Sequence, residues 1–368
     1  MDEPIKLGIV GVCGRGGDYQ IPTSIDDRVT VEAVCDVSPD GLAAAERSFD
    51  ATASFVDFHR MLWEASLDAV IIATPKEYHL AQCVAALERG LAVLCEVPAT
   101  RSIEEAKELV RVVEKTGQPF MMAENDCYRK EWMLIAELID DGVFGEPYYI
   151  RSERLMCSPE HIEEALWRRT WRAGRNGVTY PTHNLGPVLQ WFSDDRIERV
   201  SCAGSGHHYT DSRDKQYEQE DTVVMLAETE RDRLIVHRQD ILSNRPTVPY
   251  RFELQGTGGC FESAAWDGGD HRVWLPDIAE DWVTLDTFED DYLPQRWRDL
   301  PEDAEQTGRN GGDYLVFQAF IDALVAQENP PIDVHAALDM TLPGIISERS
   351  IENAGAWLDV PDSRDWAD

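Results

Sequence analysis

Basic residues, and lysine above all, are scarce in this sequence. Its 368 residues hold 34 Lys and Arg against 69 Asp and Glu, which gives a formal net charge of −35 at pH 7. Only six of the basic residues are lysines, and the acidic residues are spread along the whole chain rather than gathered in a tail. Because no basic stripe is available to meet phosphate groups, we expect neither a nucleic acid nor a membrane as partner.

So large a net charge makes the chain repel itself in dilute buffer. Molar salt shortens the screening length to roughly 3 Å, which makes the repulsion tolerable. We therefore interpret the acidity as an adaptation to a salt-rich cytoplasm, as in halophiles. The alternative is an acidic protein from an ordinary environment.

Paired cysteines and long apolar runs are also absent. The eight cysteines include no C-x-x-C pair and no cysteine–histidine cluster, a pattern typical of reduced, buried thiols that argues against disulfides and a metal site. No stretch is apolar for long enough to cross a bilayer. Residues 1–4 do not resemble a basic-then-apolar secretory leader, so we expect a cytoplasmic protein. No serine or cysteine lies in a nucleophile elbow.

The most informative segment lies at the start of the chain. An apolar run at residues 7–12 leads into a glycine-rich turn, and a second run at residues 29–35 ends in Asp36. The turn consists of Gly11, Val12, Cys13, Gly14, Arg15 and Gly16. A strand, a glycine turn, a helix start and an acid after the next strand predict a dinucleotide site, with the pyrophosphate at the helix N-terminus. Asp36 can accept hydrogen bonds from a ribose and repels a 2′-phosphate, which favours NAD over NADP.

One position departs from the usual G-x-G-x-x-G spacing. Gly11 and Gly16 hold the outer positions, while Cys13 stands at the middle one with Gly14 beside it. A side chain there crowds the approach of a pyrophosphate, so cofactor binding is less assured than with an unbroken motif. The alternative interpretation is a tight turn that opens an α/β domain of any function.

Strand-like and helix-like segments alternate up to about residue 125. This alternation predicts a doubly wound parallel sheet, so we assign residues 1–125 to an NAD-binding Rossmann domain. Extended segments dominate residues 126–368, which predicts an α+β domain with a large, mostly antiparallel sheet. Two closing helices, at residues 313–327 and 334–354, are candidates for packing back on the first domain.

Strand ends in a doubly wound sheet point at the cofactor crevice, so the residues just after each buried run are candidate cofactor contacts. They are Asp36, Thr74, Pro75, Lys76, Glu77, Tyr78, His79, Glu96, Val97 and Asn125. Each has a plainer interpretation, since a proline can simply end a strand and Glu77 can cap a helix. We favour the cofactor site because together these residues would ring one crevice.

A second segment, residues 167–187, is basic and aromatic in a chain otherwise rich in carboxylates. It holds Arg168, Arg169, Arg172, Arg175, two tryptophans, Tyr180 and His183, and no acidic residue. Such an island predicts a pocket for a polar, hydroxylated ligand. If Pro181 starts a helix, Tyr180 and His183 can face the same cavity and form an acid/base pair. The alternative is a set of arginines paired with surface acids, which would explain Arg169 and Arg172.

With these residues in view, the chain resembles the Gfo/Idh/MocA family of NAD(P)-dependent sugar oxidoreductases over nearly its full length. The resemblance implies a Rossmann domain followed by an open-faced sheet domain that binds substrate and forms homo-oligomers, either dimers or tetramers. Ordinary members carry a Glu-Lys-Pro motif, which here reads Glu96-Val97-Pro98, and an aspartate where this chain has Thr179. Both differences argue against a plain dehydrogenase with the usual proton relay.

A narrower resemblance is to glycoside hydrolase family 109, which contains NAD-dependent α-N-acetylgalactosaminidases. The similar segments are TPKEYH, EVPAT, MMAEND, GVFGEP, RNGVTYPTHNLGPV and RPTVPYRFELQGTGG. The resemblance implies NAD contacts from Arg15, Gly16, Asp36, Lys76, Glu77, Tyr78, His79, Glu96, Val97 and Asn125. It implies sugar contacts from Arg168, Tyr180, His183 and Tyr250. Lys76 and Arg154 stand where the family has a tryptophan and a substrate-binding tyrosine, which leaves the sugar specificity open.

This resemblance also implies a redox-neutral cleavage in which NAD is not consumed. A hydride leaves C3 of the sugar, a base removes the acidified C2 proton, the C1 substituent is expelled, and water and the hydride return. Tyr180 and His183 are the candidate acid/base residues, and such a route needs no pair of catalytic carboxylates. Two alternatives stay open: an ordinary sugar or polyol dehydrogenase that releases NADH, and a non-catalytic protein that binds NAD and sugar.

Overall fold

Two separate β-sheets organise the chain. The computed structural model describes residues 3–156, 162, 169–170, 173–193, 195–266 and 268–366. The chain divides into a first unit, Met1–Arg129, Asp299–Leu338 and Ser363–Asp368, and a second unit, Lys130–Arg298 and Asp339–Asp362. The sequence analysis places a single boundary after residue 125, whereas the chain passes between the units four times.

The first unit is built on a parallel sheet with helices between its strands. The elements are β1 (Ile5–Val10), α1 (Gln20–Ser24), β2 (Val29–Cys35), α2 (Pro39–Ser48), β3 (Ala53–Phe55), α3 (Phe58–Glu64), β4 (Ala69–Ile72), α4 (His79–Glu88), β5 (Ala92–Cys95), α5 (Ile103–Thr116) and β6 (Phe120–Met122). The six strands run in the order β3-β2-β1-β4-β5-β6, and every neighbouring pair is parallel. This arrangement confirms the predicted doubly wound sheet.

The central strands are buried on both faces. All four residues of β4 and all four of β5 are buried, which is why these strands are continuous apolar runs with no alternation. Helix α5 begins where the side chain of Ser102 accepts a hydrogen bond from the backbone N–H of Glu105, and it ends at Gly117 in the left-handed conformation. The strand ends therefore meet at one edge of a rigid sheet.

The second unit contains a nine-stranded sheet. Its strands are β7 (Pro147–Leu155), β8 (Ile197–Gly204), β9 (Thr222–Thr229), β10 (Leu234–Asp240), β11 (Val248–Gly256), β12 (Cys260–Glu262), β13 (Arg272–Trp274), β14 (Val283–Thr284) and β15 (Leu358–Asp359). They run in the order β14-β13-β12-β11-β7-β10-β9-β8-β15. Only β7 and β10 are parallel to each other, so the prediction of a mostly antiparallel sheet is confirmed for the strands that the structure describes.

The remaining α-helices lie after the first sheet in the chain. They are α6 (Lys130–Asp140), α7 (Thr182–Trp191), α8 (Glu289–Tyr292), α9 (Gln295–Arg298), α10 (Gly312–Ala326) and α11 (Val334–Glu352). Helix α10 belongs to the first unit, while α11 begins in the first unit and continues in the second from Asp339. Within the described ranges, none of the helices combines the length and the apolar character that a membrane span requires.

The two faces of the second sheet differ in their surroundings. One face meets an aromatic cluster in which Trp132 of α6 and Trp191 of α7 pack on Phe252 of β11, with ring centroids 4.8 Å and 5.2 Å from that phenylalanine. On β9, the alternate residues Val224 and Leu226 are each 37% exposed. One face is therefore a packed core, and the other is open in this chain.

Candidate active site

The glycine turn after β1 is packed too tightly for side chains at its two outer glycines. Gly11 has φ +87°, and its N–H donates to the carbonyl of Cys35 at 2.8 Å. A Cβ on Gly11 would lie 2.5 Å from the backbone oxygen of Ala73, and one on Gly16 would lie 2.7 Å from the oxygen of Gly11. Both glycines are thus required by backbone contacts of the turn.

Asp36 and Cys13 meet beside this turn. One carboxylate oxygen of Asp36 accepts the N–H of Cys13 at 2.9 Å, and the other accepts the N–H of Ser38 at 2.9 Å. The Cys13 side chain lies close to Gly41 of α2, where a Cβ would stand 2.6 Å from the sulfur. Burial, followed by the charge of Asp36, raises the pKa of the Cys13 thiol. The sequence analysis missed Gly41, whose lack of a side chain gives the cysteine its room.

The helix expected directly after the turn is short. A 3₁₀ segment (Arg15–Tyr19) comes first, and α1 follows with only five residues. The expectation of a helix start at the turn is therefore corrected, because two short segments make a weaker dipole than one long helix. Backbone N–H groups of the turn are what this region offers to a pyrophosphate.

Arg15 lies in a network of ion pairs at the ends of β1 and β5. Its Nε donates to Glu96 at 2.7 Å, and the phenol of Tyr19 donates to the same Glu96 oxygen at 2.8 Å. Arg15 also pairs with Asp313 of α10. Burial, followed by the charge of Glu96, raises the pKa of Tyr19 well above its ordinary value. The structure thus brings together two predicted residues and adds two that sequence reasoning missed, because Asp313 is 298 residues away from Arg15.

Asn125 joins the same network from the end of β6. Its side-chain N–H₂ donates to Asp313. Burial raises the pKa of Asp313, but the hydrogen bond and charge of Arg15 outweigh that effect and lower it. The side-chain oxygen of Asn125 is buried, and none of the residues described in the structure donates a hydrogen bond to it. It is an available acceptor at the strand edge where a cofactor amide would need one.

The loop after β4 is tied to the loop after β5 through His79. Its Nδ1 lies 2.9 Å from the carbonyl oxygen of Pro98, and its Nε2 lies 2.7 Å from that of Thr74. The side chain is 1% exposed, and burial lowers its pKa. Both ring nitrogens face the protein's own backbone, so His79 holds this loop in place and does not present a nitrogen outwards.

The other predicted residues near this edge differ in exposure. Tyr78 is 53% exposed, whereas Lys76 and Val97 are buried. The side-chain oxygen of Thr74 donates to Gln82 at 2.5 Å. One buried carboxylate oxygen of Glu77 lacks a hydrogen-bond donor among the residues that the structure covers. The predicted proline at position 75 accepts the N–H of Tyr78 in a tight turn.

In the second unit, Tyr180 and His183 lie side by side at the start of α7. Pro181 is the N-cap, so the helix that this proline predicts is confirmed. The two rings are 4.8 Å apart between centroids at an interplanar angle of 71°, the edge-to-face geometry that aromatic rings prefer. His183 is 5% exposed. A phenol and an imidazole in contact form a plausible acid/base pair.

Gln239 of β10 holds the loop that carries Tyr180. Its side-chain oxygen accepts the N–H of Tyr180 at 3.2 Å, and its N–H₂ donates to Thr179 at 3.2 Å and to the carbonyl of Gly177 at 3.4 Å. Gly177 has φ +83°, and a Cβ there would lie 2.7 Å from the backbone nitrogen of Glu348. The sequence analysis missed Gln239 because nothing in the strand pattern distinguishes it from other inward-facing residues.

Arg154 and Tyr250 complete this cluster. The guanidinium carbon of Arg154 lies 5.1 Å from the ring centre of Tyr180 and 5.7 Å from that of Tyr250, within cation–π range. The structure thus brings the predicted residues Tyr180, His183 and Tyr250 together with Arg154. Predicted residues Arg168 and Arg172 lie outside the described residues.

Two other arginines of the basic segment have acidic partners. Arg169 pairs with Asp211, and Arg175 pairs with Glu348. For Arg169 this matches the alternative interpretation of arginines neutralised by acids. The ligand-facing part of the segment is thus its C-terminal half, which contains Tyr180 and His183.

Comparison with known families agrees with this division of labour. Residues 5–124 match the model described as the oxidoreductase family with an NAD-binding Rossmann fold. A solved structure of scyllo-inositol dehydrogenase from Lactobacillus casei with NAD(H) and scyllo-inositol aligns with 97% of this chain and 99% of its own, with a TM-score of 0.73 and 19% identity. The fold and the glycine turn thus define an NAD-binding protein of the Gfo/Idh/MocA class.

The rest of the chain narrows the class. Residues 128–366 match the model described as glycosyl hydrolase 109, C-terminal domain, so the chain belongs to the glycosyl hydrolase 109 family. A family 109 protein of Stenotrophomonas maltophilia is 28% identical, with 97% of this chain and 88% of the relative covered. An alpha-N-acetylgalactosaminidase of Tannerella forsythia is also 28% identical, with 83% and 73% covered.

Proposed function

We propose that this protein is an NAD-dependent carbohydrate-converting enzyme whose preferred net reaction is redox-neutral glycoside cleavage. The observation that carries the proposal is the Tyr180–His183 pair, which lies in a domain of the glycosyl hydrolase 109 family. A relative named alpha-N-acetylgalactosaminidase supports glycoside cleavage as the net reaction. Val97, at the position of the lysine that ordinary sugar dehydrogenases of this class carry, supports it as well.

The residues of the first unit fit NAD. The turn between Gly11 and Gly16 exposes backbone N–H groups, Asp36 is oriented by two N–H donors, and Asn125 keeps an unpaired buried oxygen within the described part of the chain. When bound, NAD supplies a reversible hydride acceptor for a carbon of the sugar ring. The chain's own part is to bind the nucleotide and to hold the nearby loops through Arg15 and His79.

The proton transfers fall to the second unit. His183 is nearly neutral-poised by nature, since an imidazole titrates near physiological pH, and the phenol of Tyr180 is in contact with it. We assign this pair to remove and return protons on the sugar, without allotting each proton to one residue. Tyr250 and Tyr180 offer ring faces on which a pyranose can lie.

A specific observation favours a second candidate, an ordinary sugar or polyol dehydrogenase. Solved structures of the same fold include scyllo-inositol dehydrogenase and levoglucosan dehydrogenase, the latter with a TM-score of 0.81 at 17% identity. In that case His183 acts as the base for a single oxidation, and NADH is released. The two candidates differ in whether reduced cofactor accumulates.

One experiment separates them. The protein is incubated with NAD, aryl glycosides and free sugars in molar KCl, and both released aglycone and NADH absorbance are followed. Aglycone release without net NADH supports the proposal, steady NADH formation supports the dehydrogenase, and NAD binding with neither signal indicates a non-catalytic binding protein.

The matched variants test the role of the acid/base pair. We expect His183→Ala to lower kcat by at least 100-fold while NAD affinity stays unchanged, because general acid–base catalysis contributes about 10²–10⁴-fold. His207→Ala, at an exposed histidine in the same unit, serves as the control. Wild-type turnover in His183→Ala would refute the assignment.

We further propose that the open face of the second sheet makes the protein a homo-oligomer, either a dimer or a tetramer, and that it works in a salt-rich cytoplasm. The partly exposed Val224 and Leu226 on one strand support the first proposal. The net charge of −35 supports the second.

A further inference from the structure

One cation in the second unit is buried without a counter-charge. Arg154, near the end of β7, is 5% exposed. Its Nη1 is fully buried and has no hydrogen-bond acceptor among the residues that the structure describes. A buried guanidinium normally has a carboxylate partner, since an unpaired charge away from water is costly. An unsatisfied buried donor of this kind calls for a physical explanation.

Shortage of acids does not explain the missing partner. Side chains alternate along a strand, and the neighbouring carboxylate, Glu153, points to the opposite face of the sheet. There it pairs with Arg151 at 2.9 Å, Arg251 at 3.2 Å and Arg238 at 3.8 Å. Three arginines thus share one acid on one face, while Arg154 faces the other side.

The groups known to lie around Arg154 carry no negative charge. The guanidinium lies on the rings of Tyr180 and Tyr250, at 5.1 Å and 5.7 Å. His237 of β10 is fully buried and accepts or donates a hydrogen bond with Ser152 at 2.7 Å. Burial, assisted by the charge of Arg154, lowers the pKa of His237 to about 3, so this imidazole is neutral at physiological pH. Cation–π contacts hold the guanidinium in place, but they do not neutralise it.

The position of Arg154 ties it to the acid/base pair. Tyr180 contacts both the guanidinium and the ring of His183. A sugar held for proton transfer by Tyr180 and His183 therefore lies within reach of a fixed positive charge. Because a planar guanidinium matches a carboxylate with two parallel hydrogen bonds, a carboxylate is the anion that this group binds best.

We propose that the substrate is an acidic sugar, a uronic acid or its glycoside, whose carboxylate binds Arg154. This inference rests on the proposed function, because it assigns the substrate class of the same site. It makes Arg154 a specificity-determining residue: the substrate brings the negative charge that the folded chain leaves out.

The test compares sugars that differ only at C6. The NAD-loaded protein is titrated in molar KCl with both anomers of methyl glucuronide, methyl glucoside and methyl 6-O-sulfoglucoside, and the corresponding p-nitrophenyl glycosides are assayed for turnover. We expect the glucuronides to bind at least about 10-fold more tightly than the glucosides, since hydrogen bonds to charged groups are among the stronger ones.

Two variants and a control locate the effect. Arg154→Gln and Arg154→Met should each lose about 10- to 100-fold in affinity for the glucuronide and little for the glucoside. Arg151→Gln removes a guanidinium from the same strand on the opposite face, and its preference should equal that of the wild type. Because Arg154→Met removes an unpaired buried charge, its melting temperature without sugar should not fall, whereas a purely structural arginine would give a marked drop.

The outcomes separate this inference from the proposed function. Equal binding and turnover of glucuronide and glucoside, or an unchanged preference in the Arg154 variants, overturns the carboxylate assignment and leaves the enzyme proposal standing. A preference for the sulfated sugar over the glucuronide also overturns it. If the NAD-loaded protein neither binds nor converts any of these sugars or those of the wider panel, both proposals are wrong.

Discussion

Gln239 shows how one side chain can fix the geometry of a catalytic pair without touching a substrate. Three hydrogen bonds from its amide hold Tyr180, Thr179 and Gly177. The Tyr180 ring in turn contacts His183. A strand in the middle of a sheet is a rigid support, so Gln239 transfers that rigidity to a loop. We regard it as a positioning residue.

Replacing Gln239 by leucine keeps the volume and removes all three hydrogen bonds. We expect kcat to fall about 10- to 100-fold through misplacement of the Tyr180–His183 pair, while the dissociation constant of NAD is unchanged. The free energy of unfolding should fall by about 1–3 kcal/mol, since buried backbone groups lose their partners. Stopped assays and chemical denaturation measure both effects.

Gln255→Leu is the matched control for this prediction. Gln255 lies on β11, and its amide also bonds backbone oxygens, those of Gly256 and Gly259. Its loss should affect stability but not kcat. Equal losses of kcat in the two variants would show that the effect of Gln239 is general loosening of the sheet and not positioning.

At this scale the sequence allows prediction of the chemically distinctive residues only. Tyr180 and His183 stand in a compact, basic and aromatic motif, so their role could be inferred from their spacing. Arg154, Gln239 and Asp313 could not be selected, because each owes its role to residues far away in the chain. Long-range contacts of this kind leave no periodic signal in the sequence.

The strands and helices follow a related rule. Elements with strong local patterns, such as β5 and α5, are predicted from apolar runs and a capping residue. Short strands such as β13 and β14, of three and two residues, have no pattern of their own and form because a neighbouring strand pairs with them. The segment after Gly16 also escaped prediction, since a 3₁₀ turn followed by a short helix resembles one helix in sequence.

The exposed apolar residues of β9 lead to a prediction about assembly. Val224 and Leu226 lie two residues apart and so share the open face of the sheet. We expect the wild type to sediment as a dimer or tetramer. Val224→Glu combined with Leu226→Glu should shift it to the monomer, because four or more buried charges would face each other in the interface.

Val325→Glu provides the comparison for this double variant. Val325 is 56% exposed on α10 in the first unit, so a charge there should leave the assembly unchanged. A wild-type monomer at micromolar concentration, or a double variant that stays oligomeric, would contradict the assignment of the open face as an interface. Analytical ultracentrifugation in molar KCl gives the answer directly.

At the scale of the whole molecule, the dominant physical fact is the excess of carboxylates. The 34 basic residues cannot neutralise 69 acidic ones, even though several carboxylates such as Glu153 are shared among arginines. Local pairing removes the most unfavourable buried charges, but it leaves a net charge of −35 on the surface. The folded state therefore concentrates a repulsion that the unfolded chain spreads over a larger volume.

This repulsion predicts a strong dependence of stability on salt. Between about 0.1 M and about 1 M KCl the screening length falls from roughly 10 Å to roughly 3 Å, so the melting temperature at pH 7 should rise steeply in that range and more slowly up to about 3 M. The same series near pH 4.5, the isoelectric point given by the composition, should be much flatter because the net charge is then close to zero. A flat series at pH 7 would contradict the halophilic interpretation. An equal rise at both pH values would attribute the stabilisation to exclusion of salt from the protein surface, which acts at any net charge.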